Sequence, residues 1–147
     1  LISKHQPAVT ISSSLGSFYA TWLNQQFDLP AVLINPAVDA PTLLKPHIGK
    51  HTHWCTGEVF ELTEHHIEQL SGFKRSHLGD KEKYLVLLQD KDEILDYRDA
   101  VRFYQGQQVV VEKGGNHRFE NLQNYLQMIE LFIKNNINQS TLQRKKS

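Results

Sequence analysis

Four short segments of this chain are apolar almost without interruption: PAVTIS at 7–12, PAVLIN at 30–35, KYLVLLQ at 83–89 and QQVVVEK at 107–113. A strand with one wet face alternates apolar and polar residues, whereas a strand covered on both faces reads as a continuous run. Four such runs predict a mainly parallel sheet lying between layers of helices. Helical spacing supplies the cover. Leu15, Phe18, Tyr19, Trp22 and Leu23 recur at i, i+3, i+4, i+7 and i+8, so this stripe is expected to face the core. Ile94, Tyr97, Val101 and Tyr104 predict a second helix whose apolar face begins at Ile94. Phe119, Leu122, Tyr125, Leu126, Ile129, Phe132 and Ile133 predict a third. Strand, helix, strand in this order implies right-handed crossovers and an α/β layer structure.

The segment 36–82 breaks the alternation. It is polar, is punctuated by Pro36, Pro41, Pro46, Gly49, Gly57, Gly72 and Gly79, and is too long for a plain connection. That predicts an irregular cap or insertion with a short helix near ELTEHHIEQL. The 147 residues then make one domain with the cap inside it. The polar tail QSTLQRKKS is expected to fray.

Charge narrows the partners. Sixteen Lys and Arg balance sixteen Asp and Glu, and no basic stripe stands out, which argues against nucleic acid. No apolar run approaches the roughly 20 residues needed to cross a bilayer, so no membrane association is expected. Cys55 has no second cysteine to pair with, which fits a reducing, cytoplasmic compartment. The first residue is Leu1 rather than Met, so an upstream segment, including a targeting signal, stays open. Self-association into a homo-oligomer stays open as well.

Open α/β sheets bind ligands at the carboxyl ends of their strands. After the first run comes SSSLG and then a helix, the context of a G-x-S-x-G nucleophile elbow. The turn is so tight that the positions two before and two after the nucleophile must be small. Aligning Gly16 with the last position puts Ser14 at the nucleophile and Ser12 where the first glycine stands. A serine needs a base, and an imidazole needs a carboxylate to fix its tautomer. His117 follows a Gly-Gly-Asn turn after the fourth run, and Asp92, preferred to Asp90 and Asp96, follows the third. The order Ser, acid, His is that of an α/β-hydrolase. Taken singly, Ser14 and Asp92 read as helix N-caps and His117 as a loop histidine bonded to backbone.

Other features have plainer readings. His47, His51, His53, His65, His66, His77 and Cys55 match no common zinc spacing, so a solvated or pocket-lining role is expected rather than a metal site. Trp54 and Phe60 are expected to pack the cap onto the sheet, with substrate contact the alternative for both and Trp54 the candidate for substrate binding. Asn35, at a strand end near the site, is a second candidate for substrate binding, with a turn role as its alternative.

The blocks SSSLGSFYATWL, LPAVLINPAV, DEILDYRDAV and GGNHRF, in this order between about Val9 and Phe132, resemble the YqiA-like esterases, small bacterial α/β-hydrolases. The resemblance implies an α/β-hydrolase-like three-layer fold, of which this chain would be the C-terminal portion. Carried over by position, it makes Ser14 the nucleophile, Asp92 the acid and His117 the base. The sequence departs from the family at Ser12 and Ser17, where members read glycine. It also lacks the family's upstream strand and HGF-type loop, so a longer protein is expected, with a second oxyanion-hole donor beside the Leu15 N–H. The activity so implied is hydrolysis of small carboxylic esters or thioesters through an acyl-enzyme, with no cofactor. A non-catalytic α/β-hydrolase-like binding module is the competing expectation.

Overall fold

The structure, a computed structural model, describes residues 2–5, 7–53, 55–79 and 83–144. In chain order its elements are α1 (Ile2–His5), β1 (Thr10–Ser14), α2 (Leu15–Phe27), β2 (Ala31–Pro36), α3 (Ala40–Leu44), a 3₁₀ turn (Lys45–His47), β3 (Gly49–Thr52), β4 (Val59–Leu62), α4 (Glu64–Ser71), β5 (Tyr84–Gln89), α5 (Tyr97–Phe103), β6 (Gln108–Glu112), a 3₁₀ turn (Leu122–Tyr125) and α6 (Leu126–Arg144). The four apolar runs form one parallel sheet in the order β1-β2-β5-β6, so all their carboxyl ends lie on one side. β2 and β5 are buried at every position, as their unbroken apolar runs predict. β1 and β6 lie at the edges and are only partly covered, with Ile11 55% exposed. β1 also starts later than the run PAVTIS and reaches Ser14.

Side-chain alternation divides the core between two faces. Ala31, Leu33, Tyr84, Val86 and Leu88 pack with Ala20 of α2 and with Ala100 and Tyr104 at α5. Val32, Ile34, Leu85 and Leu87 point the other way, onto Phe119 and onto Ile129 and Phe132 of α6. The result is three layers, with each fully buried Val or Leu contributing about 1.5–3 kcal/mol. The predicted fold class is therefore present.

Three helical expectations need correction. The face that α2 turns to the sheet is Ser17, Ala20, Thr21 and Asn24, small or polar residues that let the helix approach closely, rather than the Leu15-to-Leu23 stripe. Their polar groups are spent locally. The Thr21 hydroxyl donates to Ser17 O at 2.8 Å, so the Tyr104 hydroxyl, 2.7 Å away, donates to Thr21. Asn24 Nδ2 donates to Leu29 O at 2.8 Å. The aromatic stripe holds the cap instead: Phe18 clusters with Ala40 and Leu70, while Tyr19 and Trp22 meet Phe73 edge-on. α5 begins at Tyr97, capped by Asp96, which accepts from Arg98 N–H; Ile94 lies before the helix and is 63% exposed. The tail expected to fray is helical as far as Arg144, since nothing in STLQR breaks a helix, and its last residues, 145–147, lie outside the described residues.

The segment 36–82 is less irregular than its composition predicts. It carries α3, the antiparallel β3–β4 hairpin and α4, the helix expected near ELTEHHIEQL. Phe60 does not pack the cap onto the sheet. It is 50% exposed and stacks on His51, because β4 belongs to a two-stranded ribbon with little to bury it.

Candidate active site

The serine-rich turn is a sharp strand-to-helix reversal. Ser14 ends β1 with φ 50° and ψ −125° and precedes α2, yet its side chain makes no capping bond to the helix. Its hydroxyl lies 2.9 Å from His117 Nε2 instead. The carbonyl of Ser14 is anchored by Ala37 N–H at 3.1 Å, and a bulge between Ser13 and Ser14 sets Ser14 opposite Pro36. Only Ser14 in this turn has a positive φ, so position 12 asks for small size rather than for glycine's freedom. Ser12 meets that need. A Cβ on Gly16 would lie 3.6 Å from the Ser12 Cβ, and the Ser12 hydroxyl donates to Ser17 Oγ at 3.3 Å.

Three carboxylates compete at the end of β5, and the geometry separates them. Asp90 accepts Gly114 N–H at 2.7 Å, and Asp96 caps α5. Asp92 accepts Ile94 N–H and Leu95 N–H, both at 2.9 Å, and turns its two oxygens to His117 Nδ1 at 3.0 and 2.9 Å. The Asp92 side chain is 2% exposed, that of His117 21%. The carboxylate thus fixes Nδ1 as the protonated nitrogen and leaves Nε2 free to accept from Ser14. Leu15 is the first residue of α2, so its N–H belongs to the turn whose backbone donors have no partner within their own helix.

The other expected residues do not join this group. The Asn35 side chain is buried and committed to backbone partners. Its Nδ2 donates to Asn116 O and His117 O at 3.0 and 3.1 Å, and its Oδ1 accepts Gln89 N–H at 3.0 Å. A substrate contact through that amide is closed off, because its polar atoms are already paired. Trp54 lies outside the described residues. His51 stacks on Phe60, His53 Nδ1 accepts Thr56 N–H, and His66 Nδ1 accepts Thr63 N–H at the start of α4. Among the described residues, no three His, Cys, Asp or Glu gather as a metal site.

Two residues escaped the sequence reading. Gln89, 1% exposed, binds the His117 loop from β5; its signal is a polar residue closing an otherwise apolar buried run. Glu93 accepts His117 N–H at 2.9 Å, and that bond holds its carboxyl below the usual glutamate pKa. A groove of about 490 Å³ between α3 and α5 is lined by apolar Pro36, Val38, Leu43, Leu95 and Phe103 together with charged Asp39, Asp96, Asp99 and Arg102.

A parallel sheet carrying a serine at a strand-to-helix turn, an acid and a histidine at successive strand ends defines the α/β-hydrolase class of fold. Within that class the chain belongs to UPF0227, an uncharacterised protein family whose model matches residues 1–134, which bears out the resemblance to the YqiA-like esterases. Solved structures of the same fold include a protein described as a hydrolase from Agrobacterium vitis S4, with 18% identity and a TM-score of 0.64 over 96% of this chain and 63% of that one. They also include the esterase domain of a Rhodothermus marinus protein, with 16% identity and a TM-score of 0.63 over 93% and 64% of the two chains. Est1E from Butyrivibrio proteoclasticus follows with 15% identity and a TM-score of 0.55 over 93% and 61%. This chain spans a little under two thirds of the length of each neighbour. No helix among the described residues is long and apolar enough to cross a membrane.

Proposed function

We propose that this chain carries the catalytic residues of a serine esterase acting on small carboxylic esters or thioesters. One observation carries the reading: the Ser14 hydroxyl lies 2.9 Å from His117 Nε2 while Asp92 holds the other ring nitrogen. In this reading His117 takes the proton of Ser14 as its oxygen attacks the acyl carbon. The Leu15 N–H faces the oxyanion, a donor worth about 3–4 kcal/mol in comparable sites. Collapse of the tetrahedral species breaks the ester bond, and the imidazolium returns its proton to the leaving alcohol or thiol. Water, deprotonated by His117, then releases the acid and restores Ser14. Every atom is accounted for by serine, histidine, substrate and water, so no cofactor is required.

The groove between α3 and α5 supports a small substrate, because Pro36, the residue paired with Ser14, helps to line it and its walls offer both apolar and charged contacts. Est1E, of the same fold, has been solved with ferulic acid bound, which is consistent with an acyl group of that size. Turnover of p-nitrophenyl acetate by the wild type, abolished in Ser14→Ala, is the expected result. Equal rates for the two proteins would favour the non-catalytic binding module.

A further inference from the structure

We propose that Asn35 and Gln89 are positioning residues for His117: two buried amides, at the ends of β2 and β5, that hold the loop after β6 in the register that brings the imidazole to Ser14. The part of this proposal that concerns rate rests on the esterase reading.

The loop needs holding. Gly114 and Gly115 have φ of 93° and 71°, and the non-glycine residues Phe119 and Asn121 have φ of 65° and 58°. The glycines adopt positive φ freely, but in a residue as bulky as Phe119 that conformation persists only where its surroundings over-determine it. Asn35 Nδ2 donates to the carbonyls of Asn116 and His117. Gln89 Oε1 accepts the N–H groups of Asn116 and Glu120, at 3.0 and 2.9 Å. Gln89 Nε2 donates to Glu120 O at 2.8 Å and to the Glu112 carboxylate. The two amides are themselves joined, since Gln89 N–H donates to Asn35 Oδ1. Both hydrogens of each amide are used, so neither side chain can flip without losing bonds. Both are nearly inaccessible to solvent, at 2% and 1% exposure, so water cannot replace what a substitution removes.

The fit extends to Gly115. A Cβ there would lie 1.9 Å from Gln89 Oε1, so the backbone passes directly against the amide. The polar ends of β2 and β5 therefore do something their apolar interiors do not. They reach out of the sheet and fix the backbone on either side of His117.

Asn35→Asp and Gln89→Glu preserve shape and acceptors but replace donors with oxygens. In the first, an oxygen faces the carbonyls of Asn116 and His117; in the second, one faces Glu120 O and the Glu112 carboxylate. For each variant of the full-length protein, kcat is expected to fall by about 100-fold, the scale of a roughly 1 Å misplacement, with KM changed less than about twofold. The downfield proton NMR resonance of the His117 Nδ1–H, assigned by its loss in His117→Asn, should shift or broaden in both. Adding Glu112→Gln to Gln89→Glu restores a donor and should recover about tenfold of the lost kcat. If Asn35→Asp does not fold, the Gln89→Glu and double-variant pair decides.

Wild-type kcat and an unmoved resonance in the folded variants would overturn the proposal. So would a loss of kcat that tracks melting temperature and is not rescued by Glu112→Gln. If the wild type hydrolyses no ester, the esterase reading fails, and the clamp is then judged on the resonance alone.

Discussion

The loop after β6 and the β3–β4 hairpin are both polar excursions, yet they are built in opposite ways. The loop is gripped from outside itself: Asn35 from β2, Gln89 from β5, and Asp90 and Glu93 from the turn after β5 all bond its backbone. The hairpin is gripped chiefly by itself, through its own ladder and the bonds His53 N–H to Glu58 O and Gly57 N–H to His53 O. It leaves Val59 and Phe60 63% and 50% exposed. A group that must stay within hydrogen-bonding reach of a hydroxyl needs external walls. An exposed hairpin does not.

The largest effect should come from the tautomer at the gripped end. Asp92→Asn can keep the Ile94 and Leu95 N–H bonds through its amide oxygen, but its NH₂ favours the wrong protonation of His117. Ester turnover should fall on the order of 10⁴-fold with the melting temperature little changed. Next is Gly115→Ala, where a Cβ both meets Gln89 and sits at φ 71°. Denaturant unfolding should show a loss of about 1–3 kcal/mol, accompanied by lower activity.

Acid sharpens the contrast further. Glu93, its pKa lowered chiefly by the His117 N–H bond from an ordinary 4.5, binds its proton less readily folded than unfolded. Its contribution is therefore complete above pH 4.5 and is lost as pH falls through the lower folded value. Amide exchange, corrected for intrinsic rates, should show protection at His117 falling over that acid window while the hairpin amides hold, and Glu93→Gln should flatten the response. The smallest effect belongs to Phe60→Ser, which should change stability by less than about 0.5 kcal/mol.

What could be read in the sequence follows the same division. β2 and β5 were legible because burial on both faces forces an unbroken apolar run, as in PAVLIN and KYLVLLQ. Ser14, Asp92 and His117 stand out because each lies at or beyond the carboxyl end of a strand. The sheet-facing side of α2 was not legible, because close helix-to-sheet approach favours Ser17, Ala20 and Thr21 over the larger residues beside them. Asn35 and Gln89 each left a mark, a polar residue closing an apolar run, but their partners are backbone groups that only the folded chain brings near. The hairpin left none, since a ribbon exposed on most sides needs no apolar alternation.

Whether the gripped loop turns Ser14 into a nucleophile is decided by fluorophosphonate labelling of the full-length protein with mass mapping of the adduct. A single adduct on Ser14 that His117→Ala abolishes is the expected result. No adduct on Ser14, or one that forms equally fast without His117, would contradict it.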